Sequence, residues 1–198
     1  MITLIMNPRI TAVILLVSVV VYRVGTAFAS PDMAAALMGF APFAAMVLGA
    51  AVLAPSARLA WMPAAAFLVS DLILNTFVYK TGAFSAFMLV SLAFYAALFL
   101  IARPLAARKS LALPFLGATV LGVLAFQLLA NSVSWVMLPY AKTLAGFVQA
   151  QTTGLPGFAP AWTFLLKSLA GNAAFAGLFL LAMAPARQPA RAATPVRA

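Results

Sequence analysis

The chain has 198 residues, 66% of them hydrophobic and 7% charged. Soluble domains run at about 45–50% apolar and about 25% charged, so lipid is the expected solvent for this surface. With no Cys, no His and only two acids, Asp32 and Asp71, the chain offers no disulfide, thiolate zinc site, His haem ligand, carboxylate metal cage or paired-carboxylate site. Neither an enzyme nor a cofactor or metal protein is expected. The net charge of +10 is read as basic residues at the ends of spans, where they orient the protein and meet anionic lipid. Nucleic acid is not an expected partner.

A span needs about 20 apolar residues. The pattern therefore predicts an all-α, polytopic bundle of six transmembrane helices in one domain, residues 1–184. Span 1 covers 5–22 and closes at Arg23. Arg9 ahead of an apolar core, with Ala27-Phe28-Ala29 after it, has the look of a signal peptide. The apolar run is long enough to span, however, and is expected to be retained. Span 2 covers 34–53 with Pro42 inside it, and span 3 covers 62–79, with Pro63 suited to its first turn. Span 4 covers 84–102, stopped by Arg103-Pro104, span 5 covers 113–136 and span 6 covers 160–183. Between the last two lies a polar stretch, 140–159, predicted to hold a short interfacial helix over 141–150 and then a loop. The Ala/Pro/Arg-rich tail, 185–198, is expected to be disordered.

Six spans give the chain a direction. One face collects Arg9, Arg58, Arg103, Arg108, Lys109, Arg187, Arg191 and Arg197, eight cations. The other collects three, Arg23, Lys80 and Lys142, while Lys167 lies within span 6. Positive charge favours the cytoplasmic side, which places both termini there.

Polar residues inside spans are the candidates for function, because a charge at mid-membrane costs at least about 2.5–3.5 kcal/mol. Asp71 lies near the middle of span 3, and Asn75 is one turn on, on the same face. Gln127, Asn131 and Trp135 follow at four-residue spacing on span 5. Span 6 contributes Lys167 and Asn172. Most of these fall toward the outer half of their helices. They predict a pocket open to the outside and roofed by the 140–159 loop, with Asp71 receiving a cationic or hydrogen-donating group and Lys167 an anionic one. Trp135 would stack, and the amides would orient the ligand. The competing readings are bonding of amides between helices and a buried Asp71–Lys167 bridge. Small residues at four-residue spacing, Ala41/Ala45/Gly49, Ala118/Gly122 and Ala170/Ala174, allow close helix approach, either inside the bundle or to a partner subunit. No G-x-x-x-x-G-K-[ST] loop is present, so ATP-driven transport would need an ATPase on another chain.

Three segments carry a resemblance: Phe40-Ala41-Pro42-Phe43-Ala44-Ala45, Phe67-Leu68-Val69-Ser70-Asp71-Leu72-Ile73-Leu74, and Leu129-Ala130-Asn131-Ser132-Val133-Ser134-Trp135. With Gly171-Asn172 and the last span, they resemble a family of uncharacterised bacterial six-span proteins, over roughly residues 35–183. That family is distantly similar to the substrate-binding S-components of energy-coupling-factor vitamin importers. The resemblance implies a bacterial cytoplasmic-membrane protein that captures a vitamin-like molecule from outside and works with a membrane coupling subunit and ATPases. Span 1 lacks the Ala-x-x-x-Ala docking motif of those proteins, and Asn172 stands where the uncharacterised family commonly carries an acid. The alternative expectation is a structural or assembly subunit of a larger membrane complex, with no ligand of its own.

Overall fold

The structure is a computed structural model, which describes residues 8–29, 33, 37, 39–40, 42–53, 62–80, 82 and 84–183. Helix α1 runs over Pro8–Ala27, α2 over Phe43–Leu53 and α3 over Met62–Ile73, which continues as a π-helical turn, Leu74–Tyr79. Helix α4, Ala86–Ala102, ends in a 3-10 turn, Arg103–Ala107. Then come α5, Ala112–Met137, the short α6, Leu144–Gln151, and α7, Ala161–Met183. Among the described residues, three stretches are long and apolar enough to cross a bilayer: Ala86–Ala107, Ala112–Met137 and Ala161–Met183. Their outward residues are large and apolar, Leu100, Leu121 and Leu181 among them. The protein is a helical membrane protein.

Local chemistry sets several boundaries. The Ser85 hydroxyl accepts the Met88 N–H at 3.1 Å and starts α4. The Thr143 hydroxyl does the same for Gly146 at 3.2 Å and starts α6. At the C-terminal end of α5, Lys142 folds back and donates to the carbonyls of Trp135, Val136 and Leu138. These carbonyls have no partner within the helix, and a cation suits that end of the helix dipole. The short helix at 144–151 matches the one expected at 141–150.

Span 2 is where the structure departs most from the sequence reading. The chain turns at Gly39, whose φ is 101°, and the continuous helix begins only after Pro42, at Phe43. The expected helix over 34–53 is therefore broken. Its second part, α2, has 11 residues, about 16 Å at helical rise and roughly half a hydrocarbon core. It sits at the centre of the bundle and touches α1, α3, α4, α5 and α7. Every residue from Phe43 to Gly49 is buried.

Close packing around α2 depends on small residues. A Cβ on Gly171 of α7 would run into the Phe40 backbone carbonyl, so only glycine lets α7 approach the turn before α2. Gly49 lies against the Phe179 ring, and Gly122 of α5 against Leu98 and Ala44. These positions serve packing inside the bundle, whereas Ala170 and Ala174 are exposed on α7. Ala41, Arg58, Asp32, the tail 185–198 and most of 30–38 lie outside the described residues.

Candidate functional site: an aromatic cavity with one arginine

A partly enclosed cavity of about 470 Å³ lies between α1, α2, α3, α4, α5 and α7. Its walls draw on the C-terminal end of α1, the middle of α3 and the π-helical turn after it, the N-terminal end of α2, the N-terminal ends and middles of α4 and α7, and the middle of α5. The apolar lining is mainly aromatic: Phe43, Phe67, Phe87, Tyr95, Phe126 and Phe164. The rings brace one another, with Phe43 edge-on to Phe67 at 5.2 Å and Tyr95 stacked on Phe126 at 5.1 Å. The polar lining comes from Tyr22, Arg23, Thr26, Gln127, Ser168 and Asn172.

Arg23 holds the centre of the polar side. Its Nη2 pairs with Asp71 Oδ1 at 2.5 Å, and its Nη1 donates to the Ser70 hydroxyl at 2.6 Å. Ser70 donates onward to the Phe67 carbonyl at 2.9 Å. The guanidinium also lies over the Phe43 and Phe67 rings, 5.1 Å from each centroid. Charge pairing, a hydrogen bond and two ring faces thus fix its plane.

Asn172 serves two elements. Its side-chain oxygen accepts the Ala45 N–H at 2.9 Å, one of the first-turn donors of α2 that have no partner within the helix. Its Nδ2 donates to the Ser168 carbonyl at 2.8 Å. A side chain on α7 therefore caps the buried start of α2.

The structure brings some of the expected site residues together and separates others. Gln127 and Asn172 line the cavity. Asp71 is not among the lining residues. It is engaged by Arg23, so it does not present an open carboxylate to a ligand, and the ion pair it forms is with Arg23 where the competing reading placed Lys167. Lys167 is outside the lining and lies beside Gly39. Asn75 is buried at the start of the π-helical turn, one residue after Leu74, which does line the cavity. The amide nitrogens of Asn75 and Asn131 are shielded and have no hydrogen-bond partner among the described residues. Trp135 belongs to the α5–α6 corner: its Nε1 donates to the Ala141 carbonyl at 2.9 Å, and its ring meets Phe147 edge-on. The expected roof does not form over this cavity, because no lining residue comes from 140–159. That loop packs on α5, where Gln151 donates to the Leu128 carbonyl and Ser132 hydroxyl, each at 3.3 Å.

Arg23 and the aromatic box were missed from the sequence. The signal for Arg23 was an intramembrane acid on span 3 and a cation at the end of span 1 able to reach it. The aromatics gave none, since a Phe in a span faces lipid or interior equally well.

Fold and cavity define a class: a helical membrane protein with an aromatic-walled chamber between its helices. Within that class the chain belongs to the family of unknown function DUF6580, whose model matches residues 5–193. No curated protein matches it, and no solved structure does.

Proposed function

We propose that the protein is the small-molecule-binding subunit of a membrane importer and that the aromatic cavity holds its ligand. The observation that carries this reading is the cavity itself. Ligand pockets run at about 300–1,000 Å³, mostly apolar with a few placed polar groups, and this one has 470 Å³ with seven aromatic side chains and one arginine in its lining. The reading includes six spans with both termini in the cytoplasm, supported by the eight-to-three split of cations. In that orientation the cavity runs from the middle of the helices toward the extracytoplasmic end of α1, within reach of a ligand captured from outside. The resemblance to S-components of vitamin importers points the same way. It adds a bacterial cytoplasmic-membrane setting and a coupling subunit with ATPases on other chains.

Native mass spectrometry of protein released from lipid nanodiscs tests the reading. The expected spectrum carries a small-molecule adduct that disappears in Ala44→Phe, which fills the cavity from α2. A bare protein mass that is unchanged in the variant sinks the reading. Bare protein that purifies only with fixed membrane partners favours the assembly-subunit alternative.

A further inference from the structure

We propose that the cavity selects ring-bearing molecules with a single carboxylate and that Arg23 receives the carboxylate. This rests on the ligand-binding reading above and names its ligand class. Of the two charges in the Arg23–Asp71 pair, only Arg23 lines the cavity, so the pair presents its positive end to a ligand. A guanidinium has donors on each of its nitrogens. The bonds to Ser70 and Asp71 use part of that set and leave N–H groups over. Phe43 and Phe67 hold the plane in place, so a ligand meets a fork already oriented for a planar acceptor.

A second feature points to the same ligand sign. Phe43 and Ala44, the first residues of α2, line the same cavity. First-turn N–H groups have no partner within the helix and form the positive end of its dipole. Asn172 satisfies the one at Ala45. Arginine and helix start together favour a negative acceptor and disfavour an amine. The charge is limited to one, because Arg23 is the only charged residue among the described lining and Asp71 already neutralises it. A polyphosphate would sit against a pair of zero net charge. The rings and the volume then set the rest of the molecule: a flat, apolar body.

The test uses a probe pair of one shape, 2-naphthaleneacetate and 2-naphthaleneacetamide, with the full chain in phosphatidylcholine nanodiscs and affinities from equilibrium dialysis. The acid is expected to bind the wild-type protein on the order of tenfold tighter than the amide. Arg23→Gln alone strands Asp71, so the variant of choice is Arg23→Gln with Asp71→Asn, which keeps shape and neutrality. It is expected to melt within a few degrees of wild type and to bind both probes equally. Equal affinity in the wild type, or an acid preference that survives in the double variant, overturns the inference while leaving a ligand-binding cavity standing. If neither probe binds saturably, the inference falls, and the ligand-binding reading is decided separately by the mass spectrum.

Discussion

Helices α2 and α5 are both predominantly apolar, yet they have opposite fates. Helix α2 is buried on nearly every side. Over its 26 residues α5 buries Phe115, Thr119, Gly122 and Val123 and turns Leu113, Leu121 and Leu128 outward. In water a helix that is apolar all round belongs inside. In lipid that rule loses its force, because hydrocarbon solvates leucine as well as a protein interior does. Side-chain size is what differs here. Helix α2 is Phe-Ala-Ala-Met-Val-Leu-Gly-Ala-Ala-Val-Leu, small enough to be surrounded by five helices, while α5 puts its leucines toward the acyl chains.

Substitutions at four positions test that contrast. The largest effect is expected at Gly171→Ala, where the new Cβ meets the Phe40 backbone and no flexible side chain can yield. A loss of roughly 3 kcal/mol or collapse of expression is expected, read by thermal unfolding in detergent. Leu48→Ala, at a fully buried position on α2, should cost about 2 kcal/mol. This is the low end for core leucines, because transfer from water contributes little and the cavity term remains. Asn172→Ala removes the cap on α2 and should cost about 1 kcal/mol. Asn172→Asp, which keeps the accepting oxygen, should recover part of it. Leu121→Ala, outward on α5, should change the midpoint by less than about 0.5 kcal/mol. Equal losses at Leu48 and Leu121 would erase the distinction between the two helices.

The later helices were legible in the sequence. Expected spans at 62–79, 84–102, 113–136 and 160–183 fall within a few residues of α3 with its π-turn, α4, α5 and α7. Arg103-Pro104, Pro114 and Pro160 mark edges that hydropathy alone blurs. Span 2 was misread because Pro42 is tolerated inside membrane helices, and nothing local tells a kink from a start. Of the seven expected site residues, two, Gln127 and Asn172, line the candidate cavity. Spacing within a helix shows which residues share a face. It does not show how one helix is rotated against another. That rotation is set by contacts such as Gly171 on Phe40 and Gly49 on Phe179, and it decided that Asp71 would meet Arg23 and that Trp135 would turn toward the α5–α6 corner.

The Arg23–Asp71 pair also has a bearing on how the chain enters the membrane. Arg23, near the end of α1, can wait among headgroups and water while synthesis continues. In the proposed six-span topology Asp71, near the C-terminal end of α3, lies at mid-membrane without such a refuge, and an unaccompanied carboxylate there opposes insertion. Deleting Pro8–Ala27 is expected to leave α3 on the near side in a glycosylation-mapping assay. In that topology the earlier helix carries the counter-ion for the later one, and order of emergence becomes part of the information that builds the bundle.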